Sequence, residues 1–338
     1  MLLHISSNIK TTSRMKAIIP VAGIGSRLRP HTYTLPKVLL NVAGKPIIGH
    51  IIDKIIEEGI NEAIVIVGYL GDMIEEYLTK NYDIKFTFIE QEERLGLGHA
   101  IYMTKAHLDE EPVLIILGDT VFEVDLSGVF KREHSALGVK EVDDPRRFGV
   151  AEVHDGFITR LVEKPEHPKS NLAVVGLYYI KSAQLLLACL EHNITHNIRT
   201  KGEFQLTDAL QMMIDNGEKF STFPVEGWYD CGKPETLLYT NEKLLKSKSH
   251  HKEIFGCVIN PPVFIAEDAE IENSIIGPFA TIGAKAIVKD SMVQRSIIGE
   301  SAKVTAMLLK DSIVGNNARI EGNFRKINLG DSSEVDFR

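Results

Sequence analysis

Apolar residues recur along this chain in three rhythms, each over its own stretch. From residue 17 onward, short apolar runs alternate with helical stripes. The runs at 17–22, 63–68, 85–90 and 113–118 have the length and composition of strands. Between the first two, Ile47, Ile48, Ile51, Ile52, Ile55 and Ile56 fall at i, i+3, i+4 spacing and stop at Gly59. That pattern predicts a helix laying one stripe on a core. Asp72 can cap a second helix through Lys80, and a third is predicted from about Leu97 to His107. Strands that alternate with helices predict a parallel sheet covered on both faces, with ligands at the carboxyl ends of its strands. After Val124 the order becomes mixed, with strands at 136–142, 149–153, 157–163 and 173–180 and helices near 182–191, 206–216 and 235–245.

Residues 246–256 open with the polar run KSKSHHK and read as a linker closing a domain of residues 15–245. The third rhythm follows. The phrase G-x-x-A-x-[IV] occurs at 277–282, 299–304 and 315–320. Aliphatics recur every five or six residues at Ile265, Ile271, Ile276, Ile282, Ile287, Val293, Ile298, Val304, Leu309, Val314 and Ile320. This hexapeptide-type period predicts a parallel β-helix over 257–330, and it resembles left-handed β-helix domains. About three coils is short for such a solenoid, so its ends need capping or a partner subunit. Residues 1–14 fit no structural period and read as a disordered extension, with Met15 an alternative natural start.

Composition narrows the function. A chain of 338 residues has room for two cores, and no apolar run approaches a membrane span. Cys189, Cys231 and Cys257 are too few and too widely spaced for a metal knuckle, which suits a reducing cytoplasm. A net charge of −8 argues against nucleic acid as a partner. An acidic chain that binds an anion must gather its cations locally.

Residues 17–46 do gather them. Gly23, Gly25, Ser26, Arg27 and Arg29 form a loop directly after the first strand, and Pro30 and Pro36 hold the chain extended until Lys37. Glycines let backbone N–H groups close on phosphate oxygens, and arginine and lysine bring charge for a polyphosphate. A dinucleotide-binding turn is excluded because Leu28 stands at the third glycine position and the prolines forbid an immediate helix. A P-loop is excluded by the absence of G-K-[ST]. The alternative is a plain basic surface loop, and Lys37, Lys45 and Pro46 at this spacing weigh against it.

The series G-x-G-[ST]-R-L-x-P, P-K-x-L-L and K-P-[IM] resembles the signature of the sugar-1-phosphate nucleotidylyltransferases, nearest to the glucose-1-phosphate thymidylyl- and uridylyltransferases. Further motifs recur in order over residues 15–245. They are Leu95-Gly96-Leu97-Gly98-His99-Ala100, Leu117-Gly118-Asp119, Phe148-Gly149-Val150, Glu163-Lys164-Pro165, Gly202-Glu203 with Leu206-Thr207-Asp208, and Trp228-Tyr229-Asp230-Cys231-Gly232. Asn41 and Ala22 depart from the usual proline and glycine, and neither change removes a charge. The resemblance implies a Rossmann-like α/β domain with a mixed sheet, followed by the short left-handed β-helix. It also implies transfer of a nucleotidyl group from a nucleoside triphosphate to a sugar 1-phosphate, with Mg²⁺ as cofactor.

Two anions must be aligned and charge at the α-phosphorus neutralised, so the site needs cations and a divalent ion rather than a general base. The resemblance assigns Gly23, Gly25, Ser26 and Arg27 to the β- and γ-phosphates, Lys37 to the α-phosphate and Lys164 to the sugar phosphate. Arg27, Lys37 and Lys164 are then the catalytic cations. Asp119 and Asp230 would bind Mg²⁺. Gln91 and Gly96 stand where the base is read, and Gly149, Glu163, the Val175 backbone and Glu203 where sugar hydroxyls are held. His99 reads as packing or base-adjacent, and Trp228 as core or a lid on the sugar pocket. No histidine follows His251, so the β-helix lacks the base an acetyltransferase would use and reads as structural or regulatory. A homo-oligomer is expected. A non-catalytic homologue is the rival reading, opposed by retention of every charged group. The Gly-Leu-Gly-His-Ala motif resembles the uridylyltransferases, whereas the opening loop is closer to the thymidylyltransferases. dTTP is favoured, with UTP second and glucose 1-phosphate as acceptor. GDP-mannose-type and amino-sugar chemistry remain the alternatives.

Overall fold

The computed structural model describes residues 15–322. The expected extension at 1–14 and residues 323–330 of the repeat lie outside them. The described residues divide into two compact units, 15–40 with 45–237, and 41–44 with 238–322. The division falls within helix α6 (Pro234–Lys248), so residues 246–248, expected to open a linker, are helical.

The first unit is built on a nine-stranded sheet. One half is parallel: Lys85–Glu90, Glu62–Val67, Lys16–Pro20 and Val113–Ile116 lie side by side in that order. Ala17, Ile18 and Ile19 are fully buried, as a strand covered on both faces requires. Helix α1 (Ile47–Glu57) buries Ile47, Ile48, Ile51, Ile52 and Ile55, whereas Ile56, counted with the stripe, is 41 % exposed. Helix α2 (Gly71–Asn81) is entered through Leu70 in the left-handed region. Asp72, expected as its cap, instead lies inside the first turn, where its charge faces the positive end of the helix dipole. The third helix shortens to α3 (Leu97–Tyr102), followed by a 3-10 turn at Met103–His107.

The other half is mixed, as expected. Leu172–Ile180 runs antiparallel to Val113–Ile116 and to Ser135–Glu141, and Phe220–Pro224 then pairs parallel to Ser135–Glu141. The Phe157–Glu163 and Gly149–His154 strands close that edge. Helices α4 (Ala183–Thr195), capped by the Ser182 side chain, and α5 (Leu206–Asp215) bury Leu186, Leu190, Leu210 and Met213 against this half. No helix among the described residues is long and apolar enough to cross a membrane.

The second unit carries the repeat. Three parallel ladders of four strands each replace the roughly three coils expected, and the arrangement fits a left-handed β-helix. Inward residues stack rung on rung: Ile265, Ile282, Ile298 and Val314 on one side, and Ile271, Val288, Val304 and Ile320 on another. Val288 takes the position expected of Ile287, which is registered with the outward Lys303. One ladder is covered from within the unit. Asn241 Oδ1 accepts the Thr281 hydroxyl at 2.7 Å and the Ala43 N–H at 2.8 Å, and its amide donates to the Phe279 carbonyl at 3.2 Å.

Candidate active site

The first strand ends at Pro20, and Val21 still donates to the Ile66 carbonyl at 2.7 Å. The chain turns at Gly25, whose φ of +68° lies in the left-handed region. The Gly25 carbonyl accepts the Leu28 N–H at 2.9 Å and the Thr32 hydroxyl at 2.8 Å, closing a 3-10 turn over Ser26–Leu28. A Cβ on Gly25 would lie 2.9 Å from Lys37 Cβ, so glycine is what lets the loop fold back on that lysine. Between the two prolines the chain is not extended throughout. Pro30, at φ −84° and ψ −9°, leads into a turn at His31–Tyr33. Lys37 opens another turn, is only 8 % exposed, and brings Nζ to 3.0 Å from Asp119 Oδ2.

Asp119 lies just beyond the Val113–Ile116 strand. Gly118 donates to the Pro20 carbonyl at 3.3 Å, and a Cβ there would collide with Val21 Cγ1. Glycine therefore lets the ends of two neighbouring strands close up. Asp230 arrives from the opposite direction. Gly227–Asp230 pairs antiparallel with Thr120–Glu123, placing Asp230 opposite Thr120, and the Cys231 N–H donates to the Asp119 carbonyl at 3.0 Å. Asp230 Oδ1 accepts the Gly232 N–H at 2.9 Å and Oδ2 the Thr236 hydroxyl at 3.3 Å. A Cβ on Gly232 would sit 3.0 Å from Arg27 Nη2, so the guanidinium lies beside the Asp230 turn.

The glycine loop, Lys37, Asp119 and Gly232 line a cleft of about 400 Å³, and Asp230 lies behind Gly232 rather than on its wall. Of the residues singled out in the sequence, Gly23, Gly25, Ser26, Arg27, Lys37, Gln91, Gly96, Asp119 and Glu203 line it. At its far side Gln91 Nε2 is 3.4 Å from both the Gly96 carbonyl and His99 Nδ1. Burial pulls the His99 imidazole below its ordinary range, with Glu93 opposing and Arg199 adding to the effect. A neutral ring can accept from the Gln91 amide. Gly96 has φ +114°, and a Cβ there would meet the Phe204 carbonyl at 2.6 Å and Glu203 Cβ at 2.9 Å. Glu203, grouped by resemblance with the sugar binders, therefore stands on the Gln91 side.

Gly149, Glu163 and Lys164 form a second cluster. Gly149 and Glu163 are cross-strand partners. Glu163 Oε2 accepts the Thr207 hydroxyl at 2.7 Å, and Oε1 lies 3.1 Å from Lys164 Nζ. Lys164 is held at φ +44°, an uncommon conformation for a side-chain-bearing residue and one that gathers at functional sites. Val175 is buried, and the pairing of its strand with Ser135–Glu141 shifts register between Val174 and Tyr178. Burial raises the Tyr178 phenol, and Glu163 and Asp119 add to the rise, so both carboxylates lie near the same ring. Three residues with no role on sequence grounds enter with this geometry. Arg94 lines the cleft, Thr207 orients Glu163, and Gly232 orients Asp230. Thr207 and Gly232 lay inside quoted motifs, whereas Arg94 carried no signal beyond its nearness to Gln91.

Residues 16–247 match the family described as Nucleotidyl transferase. The chain belongs to the nucleotidyl transferase family. Relatives run along nearly its whole length. A low-salt glycan biosynthesis nucleotidyltransferase, Agl11, of Haloferax volcanii is 33% identical over 95% of this chain and 99% of its own. A glucose-1-phosphate thymidylyltransferase of Streptomyces antibioticus is 31% identical, over 96% of this chain and 100% of its own. Among solved structures, a UDP-glucose pyrophosphorylase complexed with UDP-glucose superposes with a TM-score of 0.60 at 26% identity, covering 69% of this chain and 99% of that one. In this nucleotidyl transferase the donor set suits a hard divalent ion. Asp119 and Asp230 stand on adjoining strand ends, joined where the Cys231 N–H donates to the Asp119 carbonyl, and the described residues hold no group of three or more His, Cys, Asp or Glu fit to hold a metal. Mg²⁺ keeps several waters and takes one or two carboxylates together with substrate phosphate.

Proposed function

We propose that the protein is a sugar-1-phosphate nucleotidylyltransferase that makes NDP-glucose and pyrophosphate, using dTTP by preference and UTP second. The observation that carries this is the meeting of Lys37 and Asp119 at 3.0 Å on the wall of a cleft that Arg27 also lines, with Asp230 on the strand paired beside it. The length-wide relation to a glucose-1-phosphate thymidylyltransferase supports the choice of acceptor. Both pyrimidines present the same hydrogen-bonding edge, and one methyl group discriminates weakly, so the preference for dTTP is small.

In this reading the glycine loop and Arg27 hold the β- and γ-phosphates, and Gln91 with Gly96 reads the base. Glu163, the Gly149 backbone and the Val175 backbone hold sugar hydroxyls, and Lys164 holds the sugar phosphate. A sugar-phosphate oxygen attacks the α-phosphorus, and the bond to the bridging oxygen breaks so that pyrophosphate leaves in line. The attacking oxygen is already anionic and needs no base. Lys37 stabilises charge on the α-phosphate, and Arg27 takes the growing charge of the leaving group. Mg²⁺ held by Asp119 and Asp230 would supply further neutralisation of the phosphates.

A panel of four nucleoside triphosphates against four sugar 1-phosphates, scored by pyrophosphate release with Mg²⁺, tests the reading. Glucose 1-phosphate with dTTP should give the highest kcat/KM. Lys37→Ala and Asp230→Ala should each cut turnover by about 10²-fold or more, the usual effect of removing a charge-stabilising group. Near-normal turnover in either variant would remove that residue from the mechanism.

A further inference from the structure

Two carboxylates are assigned to the divalent ion. Asp230 accepts the Gly232 N–H at 2.9 Å and the Thr236 hydroxyl at 3.3 Å. Asp119 is held by a charge: its Oδ2 carries the Lys37 ammonium at 3.0 Å, and its Oδ1 the neutral Thr120 hydroxyl at 3.2 Å. The Lys37 side chain is nearly buried while that of Asp119 is 44% exposed, so the lysine is the fixed partner and the carboxylate faces the cleft. The Gly25 backbone passes close to the Lys37 stem, where a Cβ would come within 2.9 Å of Lys37 Cβ.

An ammonium and a divalent cation cannot share one carboxylate oxygen at low cost. Like charges a few ångströms apart repel, and both want the same lone pairs. A triphosphate changes that balance, because its oxygens offer the ammonium another partner. We propose that Lys37 and the divalent ion compete for Asp119 Oδ2, and that the arriving nucleotide settles the competition by drawing Lys37 onto its phosphates. The ion-pair is then a latch. It keeps the ion weakly bound until nucleotide is present, and nucleotide and ion promote each other's binding. This rests on the assignment of Asp119 and Lys37 made above.

The test is metal binding by the full chain in the absence of any nucleotide, read as free Mn²⁺ by electron paramagnetic resonance. Lys37→Met should bind Mn²⁺ about five- to tenfold more tightly than wild type, within the usual range of such couplings. Lys37→Gln is a second neutral variant in case the methionine impairs folding, and Lys37→Arg, which keeps the charge, should match wild type. Adding Asp119→Asn to Lys37→Met should abolish the gain, as a double-mutant cycle demands if the effect runs through that oxygen. In calorimetric titrations, the improvement in nucleotide affinity on adding Mn²⁺ should be smaller in Lys37→Met than in wild type. Unchanged or weaker Mn²⁺ binding in both neutral variants overturns the latch, as does a gain that survives Asp119→Asn. Wild-type pyrophosphate release is measured separately. A wild type that turns over while its neutral variants gain no Mn²⁺ affinity sinks the latch alone, and one that shows the competition without turnover sinks the functional reading alone.

Discussion

Gln91 depends on a neutral neighbour. Its amide can donate to His99 Nδ1, 3.4 Å away, only while that nitrogen is unprotonated, and burial holds the imidazole below its ordinary value of 6.5. A depressed imidazole is neutral in the folded chain at pH 7. As pH falls, the unfolded chain takes up its proton first, so the contribution to stability is present above 6.5 and fades below it. Protonation turns Nδ1 into a donor facing the Gln91 amide. The KM for nucleotide should be flat from pH 8.5 down to the ordinary imidazole value of 6.5, and rise only at more acidic pH, as the depressed ring of the folded chain takes its proton. The nucleotide's own phosphate titrates nearby, so the decisive comparison is with His99→Asn, which should lose the part of the rise that belongs to the ring. Identical pH profiles for the two proteins would free Gln91 from His99. At this scale, charged residues in ordered motifs were legible, because the chemistry of a polyphosphate dictates their type. The place of Glu203 was not. It follows from the absence of side chains at Gly96 and Gly98, which lets the Phe204 carbonyl take the Gly98 N–H at 2.8 Å across more than a hundred residues of chain.

Elements with one strong period were read correctly in kind, and errors of register came where two residues fitted the period equally. Ile287 and Val288 are both aliphatic and adjacent. Only pairing with the next coil separates them, because Val288 aligns with inward Val304 while Ile287 aligns with Lys303. This makes a measurable difference. Val288→Ala removes buried methyl groups from the stack and should cost about 1–3 kcal/mol, whereas Ile287→Ala should cost less than about 1 kcal/mol despite deleting more carbon. Denaturant unfolding of the two full-length variants gives both values, and the reverse order would shift the register by one residue. The same limit explains the mixed half of the main sheet. Its strands were visible as runs, but the position of Phe220–Pro224 between Ser135–Glu141 and Phe157–Glu163 is set by packing between distant segments, which no local period records. The polar run after residue 245 misled for a related reason. It resembles a linker in composition, yet helix α6 continues through Lys248 because its other residues bury Leu244 and Leu245.

Across the whole molecule the charge is distributed against the apparent task. A chain with a net charge of −8 is proposed to bind a polyanion, and Arg27, Lys37 and Arg94 stand on the wall of the cleft that would receive it. Salt weakens both effects, the long-range repulsion from the acidic surface and the short-range attraction in the cleft, so the sign of the salt dependence tells which dominates. At 0.15 M ionic strength the Debye length is about 8 Å, which already hides most of the distant acidic charge. Phosphate oxygens in contact with the cleft cations lie well inside that distance, so the attraction has more left to lose as salt rises. The kcat/KM for nucleotide should therefore fall monotonically between about 50 and 500 mM KCl, with the loss in KM rather than kcat. Arg94→Ala should flatten the slope, because it removes one of the cations that salt would otherwise screen. A rate that climbs with salt would mean that the acidic envelope governs approach to the site, and that the cleft's cations act only after the nucleotide has arrived.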